Sequence, residues 1–262
     1  MKAHLHDGER AYHLSKVLVR CGGHLLLKQL CQQMDEPGHA LGCDPSHLDE
    51  WVSAYYNNPV WLLNGLFIDQ DPESLAHGQA ITLWAAANRP TRVADYGGGY
   101  GGLARLLGAA LPEGQVEVVE PHPHPAAIAL SANTPNVRYI PELTGSYDLL
   151  IATDVFEHVP DPIGLVASSA AHLRIVGVYL MANFFAPVMA CHLPQLFQLS
   201  IGWDQVMRAM GLQPLEKVKY GRVYERTGPL NEEAVFHLEA LSRRVYPWVK
   251  PCQKVAPARA QP

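Results

Sequence analysis

The hydrophobic pattern of the chain changes period near residue 91. Before it, apolar residues recur at helical spacing, as in Leu14, Val17, Leu18, Cys21 and Leu25. Asp44-Pro45 and Asp71-Pro72 each read as an N-cap followed by proline at the first helical position, where a missing N–H is harmless. Between these starts lies a dense aromatic and amide cluster, Tyr55-Tyr56-Asn57-Asn58-Pro59-Val60-Trp61. From Arg92 onward, short apolar runs alternate with helical stretches. Strands are predicted at 92–96, 115–120, 137–140, 147–153 and 174–183, and helices at about 101–111, 124–132 and 161–172, the last opened by Asp161-Pro162. Such alternation predicts a parallel sheet with helices on both faces. A further helix at about 203–211 precedes strands at 214–219 and 222–227, joined by a tight turn at Tyr220-Gly221. A final helix over 231–247, capped by Asn231, leads to a Pro-containing tail. The expected organisation is a helical extension or lid over 1–90, an α/β domain over 91–250 and a frayed tail over 251–262.

Composition narrows the function classes. The 262 residues suffice for a sizeable core, and 48% are hydrophobic against 17% charged. A net charge of -5 without any Lys/Arg run argues against a nucleic-acid partner, because phosphate binding favours clustered cations. The five cysteines are odd in number and form no C-x-x-C pair, which points to reduced thiols and away from disulfides or a zinc site. The opening MKAHLHDGERAYH is too polar for a signal peptide, and the apolar run from Ile175 to Ala190 is interrupted by Asn183 and Pro187 and is too short to span a bilayer. The expectation is a soluble cytoplasmic protein with no membrane partner, and a homodimer is compatible with it.

The segment Val93–Gly102, VADYGGGYGG, carries the most chemistry. A buried strand closes on Asp95, and glycines then lead into the apolar helix start Leu103-Ala104. Such a turn needs unusual dihedrals and close backbone approach to a ligand. Two templates fit. Gly97-x-Gly99-x-x-Gly102 with Glu120 beyond it satisfies the dinucleotide fingerprint. Asp95-x-Gly97-x-Gly99-x-Gly101 satisfies a looser form with an acid at the strand end. That acid would repel a pyrophosphate, yet suits a cationic cofactor without phosphates.

The fourth strand continues into YDLLIATDVFEHVPDP. Together VADYGGGYGG, VEVVEPHP and this stretch resemble the successive motifs of the class I S-adenosylmethionine-dependent methyltransferases, over about residues 90–227. The resemblance implies a Rossmann-like, doubly wound, seven-stranded sheet with a reversed last strand and S-adenosylmethionine as cofactor. It also implies that Asp95 and the turn at Gly97, Gly99 and Gly101 lie along the methionine portion. Glu120 would accept from both ribose hydroxyls, Glu142 would meet the adenine amine, and Asp154 would close the fourth strand beside the sulfonium. Leu173-Arg174-Ile175-Val176-Gly177 departs from the family in lacking paired glycines.

Methyl transfer from a sulfonium depends mainly on alignment, with a general base needed only where the acceptor must lose a proton. His158, directly after the fourth strand, and His192, after the fifth, are the candidate bases. Tyr55, Tyr56 and Trp61 could form a cation-attracting lid, and Asn57 could hold a substrate carboxylate; packing of the helical extension explains the rings equally well. His122-Pro123-His124-Pro125 invites a metal reading but has no third ligand nearby in sequence, so no metal is expected. The leading function is methyl transfer to a small-molecule substrate. Three alternatives stand beside it: attack on the aminocarboxypropyl γ-carbon with release of methylthioadenosine, as in cyclisation to azetidine-2-carboxylic acid; a non-catalytic binding protein; and a dinucleotide dehydrogenase.

Overall fold

A computed structural model describes residues 27–42, 52–189 and 191–249. The expected helix face from Leu14 to Leu25, the Asp44-Pro45 cap and the tail lie outside the described residues. Helices α1 (Leu27–Leu41), α2 (Val52–Tyr56) and α3 (Trp61–Ile68) precede α4 (Pro72–Asn88). The order then runs β1 (Arg92–Tyr96), α5 (Gly102–Ala110), β2 (Gln115–Val119), α6 (Pro125–Ser131), β3 (Val137–Ile140) and β4 (Tyr147–Thr153). It ends with α7 (Pro162–Ala170), β5 (Leu173–Ala182), α8 (Leu199–Met210), β6 (Leu212–Val218), β7 (Gly221–Arg226) and α9 (Glu232–Val249).

The strands form one seven-stranded sheet in the order β3-β2-β1-β4-β5-β7-β6. All are parallel except β7, which runs antiparallel to both β5 and β6. The strand order reverses beside β1, so β1 and β4 open a crevice at their C-terminal ends, the place where open α/β sheets bind ligands. The β6–β7 turn lies at the same edge, because Arg222 at its exit pairs with Met181 near the end of β5.

Both faces of the sheet are covered, as the near-continuous apolar strands require. On one face Ile81 and Ala85 of α4 and Ala104 and Leu107 of α5 pack on Val93, Val116 and Leu149. On the other, Val166 of α7 and Val206 and Met210 of α8 pack on Ala94, Leu150 and Tyr179. Glu117 lies fully buried in β2, where Arg92 and Arg138 pair with it, so the buried charge is compensated.

The caps read from the sequence set the helix starts. Asp71 accepts from the Ser74 N–H at 2.8 Å, and Asp161 accepts from the Gly164 N–H at 2.8 Å, each with proline at the first turn. His124-Pro125 uses the same device, the His124 ring accepting from the Ala126 N–H at 3.1 Å. Two element starts differ from expectation by more than one residue. Helix α8 begins earlier, at Leu199, because the short 3-10 turn Pro194–Leu196 feeds it. Strand β6 begins at Leu212 because Gly211, at φ 103°, ends α8 and turns the chain directly into the sheet.

The segment without paired glycines forms a bulge: the β4–β5 register jumps from Tyr147↔Leu173 to Leu149↔Val178. Val176 sits in this bulge at φ 61°, a left-handed conformation that disfavours a β-branched side chain, and is 70% exposed. A Cβ in that region costs about 1–2 kcal/mol, partly offset by glycine's extra unfolded-state freedom. Val176→Gly is therefore expected to stabilise the protein by up to about 1 kcal/mol, read as a higher urea midpoint with unchanged slope. A lower midpoint would show that the bulge carries no such strain.

Candidate active site

The β1–α5 turn is closed on itself by steric demand. Gly97, Gly99 and Gly101 have φ values of 69°, 49° and 68°. A Cβ on Gly98 would stand 2.5 Å from an Asp95 carboxylate oxygen, and one on Gly101 would stand 2.5 Å from the Tyr139 hydroxyl. Around Gly99 the space is open. The Tyr139 hydroxyl donates to the Gly99 carbonyl at 3.1 Å, pinning the turn to β3. Beneath it lies Asp95, 1% exposed, whose Oδ2 has no hydrogen-bond partner. Burial, with a further contribution from the charge of Glu120, pushes the Asp95 carboxyl up to about 7.

Glu120 stands half-buried at the tip of β2. Its Oε1 accepts from the His122 N–H at 3.1 Å. Glu142 is exposed in the β3–β4 loop.

At the end of β4, Asp154 adopts φ 54° and Tyr220, from the β6–β7 turn, donates to its carboxylate at 3.0 Å. The Tyr220 ring stacks on His77 of α4, with ring centres 3.9 Å apart. Asp154 is accessible to water at its surface but walled by protein, which pushes its carboxyl up; the Tyr220 hydroxyl acts in the opposite direction. Glu157, 1% exposed, accepts from the Phe184 N–H at 2.8 Å through Oε1, while its Oε2 receives no donor. Burial, reinforced by the neighbouring Asp154 charge, pushes the Glu157 carboxyl up as well.

His158 and His192 meet edge to face, ring centres 4.7 Å apart. Nδ1 of His158 lies 3.2 Å from the Cys191 carbonyl, and Nδ1 of His192 lies 2.8 Å from the Ala186 carbonyl. Both backbone oxygens can only accept, so each ring carries its proton on Nδ1 and keeps its Nε2 lone pair. Burial holds both rings below the ordinary imidazole range, His158 at about 3, so both are neutral at physiological pH.

The aromatic cluster forms the joint between the N-terminal helices and this histidine loop. Tyr55 is 1% exposed, and its hydroxyl donates to the Met34 carbonyl at 3.2 Å. Its ring packs with Cys191, Met189 and Trp61, and the Trp61 N–H donates to the Tyr55 carbonyl at 3.0 Å. Tyr56 stacks on Trp61 with centres 4.9 Å apart, both half-buried, and Asn57 is exposed. Gly65 of α3 leaves room for the Tyr100 ring, which a Cβ there would meet at 2.6 Å. Arg105 ties the same joint by donating to the Tyr100 carbonyl at 2.6 Å and pairing with Asp69 at 3.4 Å.

The C-terminal edge of the sheet thus carries Asp95, the glycine turn, Glu120 and Asp154, with His158 and His192 in the segments that follow β4 and β5 and Glu142 in the β3–β4 loop. Tyr55 is 1% exposed and packs against Cys191, the residue before His192. Glu157, Tyr220 and His77 were missed. Glu157 was hidden inside the motif that drew attention to His158, whereas Tyr220 was announced by its position at a hairpin tip on the ligand edge.

The residues fit a cofactor with a cationic amino acid portion and a ribose. The orphaned Asp95 oxygen needs a donor, the open space at Gly99 admits a ligand against the backbone, and Glu120 supplies two acceptor oxygens. No helix among the described residues is long and apolar enough to cross a membrane.

A family model described as "Methyltransferase domain" matches residues 71–206, more than half of the chain. Among solved structures, the 1,6-didemethyltoxoflavin-N1-methyltransferase of Burkholderia thailandensis, bound to its substrate and S-adenosylhomocysteine, superimposes with TM-score 0.50 at 18% identity. That match covers 74% of this chain and 91% of that one. The mitomycin 7-O-methyltransferase MmcR gives TM-score 0.48 at 14% identity over 76% of this chain and 66% of its own. No curated protein matches the sequence. The family match, together with the sheet order and the residues at its edge, shows that the chain belongs to the class I S-adenosylmethionine-dependent methyltransferases.

Proposed function

We propose that this protein transfers a methyl group from S-adenosylmethionine to a small molecule, with His158 as the general base. The observation that carries the reading is the unpartnered Asp95 carboxyl beneath the glycine turn, on the same edge as the His158–His192 pair. When bound, the cofactor supplies an activated carbon on its sulfonium. Asp95 and the backbone of Gly97 to Gly101 hold its amino acid end, and Glu120 accepts from its ribose hydroxyls. Asp154, oriented by Tyr220, borders the reacting end.

In the metal-free protein His158 accepts the proton of the acceptor at Nε2. The Cys191 carbonyl holds the opposite nitrogen protonated and the ring in orientation. Tyr56, Asn57 and Trp61 stand at the joint that positions the Cys191–His192 loop, from which an acceptor pocket would be built. A small acceptor is favoured because the chain is acidic overall and helices α1 to α3 pack over this loop. The aminocarboxypropyl cyclisation weighed from the sequence has no feature of the fold or of the comparisons behind it. The O- and N-methyltransferases among the structural neighbours are compatible with either acceptor atom.

Two outcomes test this reading. His158→Ala is expected to leave S-adenosylhomocysteine binding intact and to lower turnover with an accepted substrate by about 10²- to 10⁴-fold. Unchanged turnover would remove the base. Asp95 must be ionised to hold an ammonium group, but its carboxyl sits at about 7 in the free protein. Ligand binding favours the charged form, so affinity for S-adenosylhomocysteine should rise with pH and be about tenfold weaker at pH 6 than at pH 8. Calorimetry across that range should show this slope for the wild type and a flat, weaker profile for Asp95→Asn. A slope that survives Asp95→Asn would assign it elsewhere.

A further inference from the structure

The sequence drew attention to His122 and His124, where no third ligand is near. The fold instead brings Glu157, His158 and His192 together, one ligand atom from each lying within 4.8 Å of the other two. We propose that these three side chains form a binding site for one divalent transition-metal ion of the zinc class.

Three independent features support it. The first is ligand orientation. Metal-binding imidazoles nearly always donate their second ring nitrogen to a carbonyl or carboxylate, which fixes the tautomer. His158 does so to Cys191 and His192 to Ala186, at 3.2 and 2.8 Å, and the Phe184 carbonyl also lies against the His192 ring. The second is an orphaned acceptor. Glu157 is 1% exposed, its Oε1 is engaged by the Phe184 N–H, and its Oε2 receives no donor. The Asp154 carboxyl is its hydrogen-bonding neighbour, and a cation on Glu157 takes the place of the proton that two facing carboxyls would otherwise share.

The third is charge. Among the described residues, the carboxylates whose charges act on this cluster are Asp154, on Glu157, and Asp35, on His192. Ligands about 2.1 Å from a tetrahedral ion stand about 3.4 Å apart, so closing from 4.8 Å takes only small side-chain rotations. Two imidazoles and one carboxylate select zinc or its neighbours over magnesium or calcium, which prefer all-oxygen sites. Three protein ligands leave a coordination position open.

The inference rests on side-chain geometry and not on the methyl-transfer reading. The two meet at one atom: an ion on Nε2 of His158 occupies the lone pair that a proton would otherwise take.

The test uses the tag-free, chelator-treated full chain without cofactor or acceptor, so that its result is separate from any measurement of turnover. Zn²⁺ titrated by calorimetry should bind at one equivalent, and Co²⁺ should give the intense visible bands of a four- or five-coordinate site. His158→Ala and His192→Ala, confirmed as folded by circular dichroism, should each weaken Zn²⁺ binding by at least roughly 100-fold and abolish the Co²⁺ bands. The double variant His122→Ala/His124→Ala should bind like the wild type. The proposal is overturned if no stoichiometric Zn²⁺ binds, or if His158→Ala and His192→Ala bind Zn²⁺ like the wild type.

Discussion

A carboxyl group buried without a partner is costly, and Asp95 is one. It lies at the end of the central strand, under a turn so tight that a side chain at Gly98 would collide with it. The rest of the crevice depends on this arrangement. The turn must be glycine to pass over the acid, the acid must be buried to face what lies on the turn, and a proton or a ligand bearing a donor relieves the cost. Strain of this kind at a ligand edge is the usual signature of a site whose stability has been traded for binding.

The second dependence runs from the N-terminal helices to the histidines. Tyr55 and Trp61 are hydrogen-bonded and packed onto the Cys191 loop, and the Cys191 carbonyl orients His158. A change in the aromatic cluster therefore reaches the candidate base through one peptide group. The glycine turn is tied in the same way, through Tyr100 seated against Gly65 and Arg105 paired with Asp69. The helical segment thereby touches both the histidine loop and the glycine turn.

Much of this was legible because the sheet obeys local rules. Apolar runs bounded by Asp-Pro caps set the order of strands and helices, and the acid before the glycine turn separates one cofactor class from another. What escaped reading depended on long-range contact. For Tyr55 the sequence left a substrate lid and packing of the helical extension open together, because its burial against Met34 and Cys191 follows from how α1 and α2 pack. Glu157 and His192 meet only because β5 brings the loop after it beside the end of β4. Val176 in a left-handed bulge could not be foreseen, since nothing local favours valine there.

The central claim is that the turn beneath which Asp95 is buried holds S-adenosylmethionine and not a dinucleotide. Titrating the full chain by calorimetry with S-adenosylhomocysteine and, separately, with NAD⁺ tests it most directly. The account predicts one equivalent of S-adenosylhomocysteine bound, lost in Glu120→Ala, and no heat from NAD⁺. Stoichiometric NAD⁺ binding with none of S-adenosylhomocysteine would contradict it.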